Sequence, residues 1–107
     1  MSTNYQIDYR DEVKEDIKDF NSAQQRQIRK AIEKVSRNPL PQNEGGLGKP
    51  LGNKHGNNLT GHCKIVLKKS GIRVVYKLIR VDKIMKIVVV SVRSDNEVYD
   101  IAAKRDT

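Results

Sequence analysis

"HCKIVLKKSGIRVVYKLI", residues 62 to 79, holds two β-rich runs on either side of Ser70-Gly71. A Ser-Gly step between such runs supplies the positive φ of a tight turn, so the stretch reads as a β-hairpin. Strand alternation then divides its side chains between two faces. Cys63, Ile65, Leu67, Ile72, Val74, Tyr76 and Leu78 fall on an apolar face, and Lys64, Val66, Lys68, Arg73, Val75 and Lys77 on the other. The first face needs a cover, and the second is conspicuously cationic.

Downstream, a turn at "RVDK" leads into "KIMKIVVVSV" (83–92), whose β-branched "IVVV" reads as a buried strand. Arg93 ends that run. Ser94 with Glu97 then has the spacing of a capping box, which opens a short helix with the stripe Val98, Ile101 and Ala102. Upstream, "YQIDY" (5–9) alternates as a strand with one covered face, and Val13, Ile17 and Phe20 form a helical stripe. Ser22 with Gln25 matches another capping box, before a second helix with the stripe Ile28, Ala31, Ile32 and Val35. Pro39 must stop it near Asn38.

Residues 38 to 61 hold all three prolines and six of the seven glycines, so they read as a long loop pinned by Leu47 and Leu51. The expected order is β-α-α-β-β-β-α, an α+β fold in which an N-terminal strand and a helical hairpin pack on a mostly antiparallel sheet. Its expected core is Ile7, Val13, Ile17, Phe20, Ile28, Ile32, Val35, Ile65, Leu67, Val74, Leu78, Val88 and Val90.

A chain of 107 residues has room for one domain with one modest core. The net charge of +8 calls for a polyanionic partner, nucleic acid first, then an anionic membrane surface or an acidic protein. Lone Cys63 cannot form an internal disulfide, and no apolar run is long enough for a signal peptide or a membrane span, so a cytoplasmic location is expected. The positive field belongs to the sheet half, with eleven Lys and Arg against five Asp and Glu from residue 62 onward.

Lys64, Lys68, Arg73, Lys77 and Arg93 are expected to share one sheet face. Any one of them is ordinary as a solvated cation, but natural sheets mix signs across strands, and this face offers hardly any acid between its cations. Tyr99 lies off the Val98, Ile101, Ala102 stripe. It is either a half-buried aromatic at the helix edge or a phenol turned to the cationic face, where positive charge favours phenolate. His55 and His62 are too far apart to suggest a metal pair. The acids of residues 8 to 19 suit a helix start and a solvated surface better than a metal site.

Together "K-I-x-L-x-x-S-G-x-R-x-V-Y" (64–76) and "R-x-x-x-E-V-Y-x-x-A-x-K-R" (93–105) resemble toxins of the RelE/ParE superfamily, on the RelE side. RelE-like members cut mRNA in the ribosomal A site, and the resemblance covers about the whole chain. It implies an endoribonuclease without metal or cofactor, in which the RNA 2′-hydroxyl attacks the adjacent phosphate. By position, the family's cationic site falls on Lys64, Arg73 and Arg93 and its catalytic tyrosine on Tyr99; Lys68, Lys69 and Lys77 are expected as RNA contacts. A family lysine two residues after Lys64 is Val66 here, which leaves Lys68 to substitute for it or the activity reduced. The implied partners are the ribosome, its mRNA and a RelB-like antitoxin. A ParE-like gyrase inhibitor and a non-catalytic RNA- or ribosome-binding module remain alternatives from other classes.

Overall fold

The computed structural model describes residues 4–54 and 56–105, which places His55 outside the described residues. In chain order the elements are β1 (Gln6–Tyr9), α1 (Asp11–Lys18), α2 (Ser22–Ser36), β2 (Lys49–Pro50), β3 (Asn53–Lys54), β4 (Asn57–Asn58), β5 (His62–Leu67), β6 (Ile72–Ile79), β7 (Ile84–Ser91) and α3 (Asp95–Arg105). This is the expected α+β order, with three two-residue strands and a 3-10 turn at Gln42–Glu44 added inside the loop. The main sheet runs β1-β7-β6-β5-β2, with β1 parallel to β7 and the other pairs antiparallel.

The hairpin is present, but its turn is wider than a two-residue Ser-Gly step. Leu67 pairs with Ile72, and the backbone N–H groups of Ser70 and Gly71 both donate to the Leu67 carbonyl, so residues 68 to 71 are all turn. Gly71 takes φ 73°, the left-handed conformation that glycine reaches most easily. Lys68 therefore leaves the strand before alternation can assign it a face.

The helix start before α2 lies one residue earlier than the Ser22–Gln25 spacing predicts. Asn21 is the cap: its Oδ1 accepts from Gln24 N at 2.8 Å, and Gln24 Oε1 accepts from Asn21 N at 3.2 Å. Asn caps as well as Ser, and Asn21-x-x-Gln24 carries the same reciprocal pattern. Val13 and Ile17 of α1 and Ile28, Ile32 and Val35 of α2 are buried against one sheet face, over Ile72, Val74, Tyr76, Met85, Ile87 and Val90. Ile7, Phe20, Ile65, Leu67 and Leu78 pack at the margin of that core, only partly buried.

The loop after α2 is tied to this core by Tyr76, whose Oη donates to the Pro39 carbonyl at 2.7 Å. Gly48 runs against that phenol so closely that an added Cβ would collide with Tyr76 Oη. Gly48→Ala is expected to destabilise the protein by about 2 kcal/mol through overpacking, read as a lower urea midpoint at unchanged slope. Leu51 is buried as expected, whereas the Leu47 side chain is exposed and Leu47 holds the loop through its backbone N–H, which donates to the Asn38 carbonyl at 2.9 Å.

The other sheet face is not open. α3 and the loop cover its centre and form a second core of Leu51, Leu59, Val75, Val88, Val89, Val98, Tyr99 and Ala102. The expected single core is thus two, and Val88 belongs to the second. A β-bulge is responsible: Val75 pairs with Val89 but Tyr76 with Ile87, so Val88 is the extra residue and shares a face with Val89. The far end of α3 is clamped by Arg105, whose guanidinium meets both Asp16 carboxylate oxygens at 2.7 and 3.0 Å and donates to the Val88 carbonyl at 3.0 Å. That ion pair, in turn, holds the Arg105 guanidinium above its ordinary pKa. Among the described residues no helix is long and apolar enough to cross a membrane.

Candidate functional site

Lys64 stands mid-strand on β5, and α3 folds over it until only 9% of the residue is exposed. Burying an ammonium is costly unless it is paired and hydrogen-bonded. Here Nζ donates to Tyr99 Oη at 2.8 Å and to Asp95 Oδ2 at 3.4 Å, and lies 5.5 Å from the Tyr99 ring centroid. The three residues thus come from a strand and from two successive turns of α3, since 95 and 99 are one turn apart on a helix.

Arg73, on β6, enters from the side. Its Nη1 donates to the carbonyls of Gly71 at 3.0 Å and Arg93 at 3.1 Å, and its Nε pairs with Asp95 Oδ1. The Arg93 side chain is exposed, with Nη1 on Glu97 Oε2 at 3.2 Å. Ser94 opens the helix as its spacing predicts: its Oγ accepts from Glu97 N at 3.4 Å. That backbone bond is one half of a capping box; Glu97 Oε1 meets the Ser94 hydroxyl, which donates to it at 3.4 Å.

The structure brings Lys64, Arg73 and Tyr99 together around Asp95, with Arg93 joined through its carbonyl. Tyr99 is not a helix-edge aromatic, for it is 5% exposed and part of the second core. The cationic face also has more acid than alternation along the strands implies. Asp95 and Glu97 arrive from the first turn of α3, where carboxylates are favoured, and no strand pattern registers them. Burial alone would raise the Asp95 carboxyl, but the Lys64 ammonium and Arg73 guanidinium outweigh it and hold it below the usual carboxylate range.

The remaining cations are spread more widely. Lys68 and Lys69 are exposed in the hairpin turn. Lys68 reaches back to line a groove of about 300 Å³ with Lys49, Lys64, Val66 and Leu47. Lys49 is a residue that strand reasoning missed: it lies in β2, directly opposite Lys64. Its position inside a loop with no visible strand pattern left no signal in the sequence. Val66 pairs across the hairpin with Arg73 and is 36% exposed, an apolar side chain at the site's margin.

Lys77 does not join the cluster. It shares the face with Arg73 by alternation, but Val75, buried under α3, stands between them, and Lys77 pairs instead with His62 and Lys86. His62 is buried at that distal end of β5. Among the described residues no three of His, Cys, Asp and Glu are grouped to hold a metal.

Chemically, a phosphate between the Lys64 and Arg73 cations would meet two charge-assisted donors, with a phenol oxygen already hydrogen-bonded to one of them. The chain matches no protein-family model and no curated protein. Two solved structures share its fold over nearly its whole length. The isolated E. coli RelE toxin superposes with a TM-score of 0.68 at 24% identity, over 96% of this chain and 99% of that one. A free-state variant of E. coli RelE with two arginines changed to alanine gives 0.70 at 24% identity, over 97% and 99%. At that identity the likeness establishes the RelE fold.

Proposed function

We propose that this chain is a RelE-like toxin of a toxin–antitoxin pair, an endoribonuclease that cuts mRNA in the ribosomal A site and so stops translation in the cytoplasm. The observation that carries the reading is the convergence of Lys64 and Tyr99 at 2.8 Å, from elements 35 residues apart, beside Arg73. A purely structural tyrosine in the second core would not need a buried ammonium on its oxygen.

In the proposed reaction the RNA 2′-oxygen attacks the adjacent phosphorus. Tyr99 Oη takes the 2′-hydroxyl proton as general base, and the Lys64 ammonium, which donates to that oxygen at 2.8 Å, holds it in place. Lys64 and Arg73 stabilise the extra charge on the pentavalent phosphorus oxygens, and Arg93, at the exposed side, faces the departing 5′-oxygen. The bond from phosphorus to that oxygen breaks and the oxygen takes a proton from solvent water, leaving a 2′,3′-cyclic phosphate and a 5′-hydroxyl end. So sparse a site gains from a ribosome that holds the mRNA in line for attack. A RelB-like antitoxin would hold the toxin silent by covering its basic surface.

Primer extension on a translated mRNA is the direct test: discrete stops inside codons are expected on expression of the toxin, and none on expression with its antitoxin. Intact mRNA with inhibited DNA gyrase would transfer the chain to the ParE-like reading. Binding to ribosomes should also weaken steeply with salt. With about three phosphate contacts to a single strand, affinity falls by roughly twentyfold between 50 and 200 mM salt. Lys68→Glu, beside the site, should weaken binding more than Lys77→Glu, beyond Val75. Equal losses, measured by ribosome sedimentation, would contradict the placement of the RNA.

A further inference from the structure

Asp95 turns its two carboxylate oxygens to two cations on different strands. Oδ1 pairs with Arg73 Nε on β6, and Oδ2 with Lys64 Nζ on β5 at 3.4 Å. An anion that bridges an ammonium and a guanidinium through two oxygens has the contact pattern of a phosphodiester with its two non-bridging oxygens on the same pair. The three partners are unequally enclosed: the side chain of Lys64 is 10% exposed and that of Arg73 26%, but that of Asp95 42%. The carboxylate can therefore swing into water about its own χ1, while the cations stay where the strands and Tyr99 hold them.

Resting on the proposed cleavage of RNA, we propose that Asp95 occupies the seat of the scissile phosphate in the free protein and must leave it for RNA to bind. Asp95 is then a resident competitor. It keeps Lys64 and Arg73 paired when no substrate is present, and it subtracts from the affinity of any anion that reaches the site alone. RNA held by a larger assembly tolerates that subtraction, because its other contacts offset the displacement. Free RNA in solution does not. The residue thus biases the site toward RNA presented in place and against loose RNA, without touching the substrate in the bound state.

The competing account makes Asp95 a structural tie that orders the two cations. The two accounts predict opposite signs for one substitution, Asp95→Asn, which keeps size and shape and removes the charge. The probe is a short single-stranded 2′-O-methyl oligoribonucleotide, which cannot be cut, titrated into the full chain and followed by fluorescence anisotropy at low salt. A resident competitor predicts binding about tenfold tighter in Asp95→Asn, the equivalent of ~1.4 kcal/mol. Asp95→Ser should also tighten it, and Asp95→Glu should stay near the parental value.

Unchanged or weaker binding in both neutral variants overturns the inference, as does a lack of binding by every form. Loss of fold in both neutral variants, seen in thermal melts, overturns it too, since Asp95 would then be a structural tie. Failure of the cleavage reading is visible separately, as an uncut mRNA in a translating extract with the parental protein, whatever the oligonucleotide affinities.

Discussion

Tyr99→Phe is expected to lower mRNA cleavage in a translating extract by about a hundredfold or more, since it removes the group that takes the 2′-hydroxyl proton in the proposed reaction. The ring remains, and with it nearly all the packing against Val75, Val88 and Val89 in the second core. The loss of the hydroxyl leaves the Lys64 ammonium with Asp95 alone, which should reduce stability by about 1 kcal/mol. That is too small to unfold the protein, so thermal melts and cleavage should separate cleanly. A folded Tyr99→Phe protein that cuts at the parental rate would reduce Tyr99 to a core residue and leave the cations to explain any activity.

Lys64→Met is expected to cost at least as much, about a hundredfold to a thousandfold in cleavage, through lost stabilisation of charge on the phosphorus oxygens. Met retains most of the aliphatic stem that α3 covers, so the packing change is small. The double variant with Tyr99→Phe discriminates further. Groups that act as a unit lose little more together than the worse single loss, whereas independent contributions multiply. With Lys64 and Tyr99 hydrogen-bonded at 2.8 Å, the double variant should fall close to the weaker of the two singles in single-turnover cleavage. Multiplied losses would mean that the phenol and the ammonium act in different steps.

The elements whose apolar pattern is local were legible without coordinates. The hairpin, the stripes Val13–Ile17 and Ile28–Ile32–Val35, and the Pro39 stop follow from period and turn chemistry alone. The second core was harder to see because strict alternation hides it. Its signal was present in the consecutive apolar residues Val74-Val75-Tyr76 and "IVVV" (87–90), since strands buried on both faces read as runs. An unseen bulge at Val88 also shifts parity, so alternation gives Val88 and Val90 one face when they have two.

The site shows the same division. Lys64, Arg73 and Tyr99 were identifiable as residue types in a family-like pattern, and the fold brings them together. Asp95 was not, because its role depends on where α3 lies over the sheet, and no sequence spacing relates residue 95 to residues 64 and 73. The same holds for Lys49, whose neighbour Lys64 is set by a two-residue strand too short to carry a period.

On the proposed function, the parallel pairing of β1 with β7 also governs when in its synthesis this chain acquires its site. Gln6 to Tyr9 lie beside Ile84 to Ile87, and Arg105 returns to Asp16 and, through its carbonyl, to Arg10. Contacts of such sequence separation form late, because a long loop must close before they stabilise anything. A nascent chain that stops short of β7 leaves its first strand without a neighbour, and one that stops short of α3 has neither Tyr99 nor the helix that encloses Lys64. The partial product lacks the proposed site. Under the proposed toxin reading, synthesis runs ahead of activity, and an antitoxin that recognises the finished surface would have until the last turn of α3 to be in place.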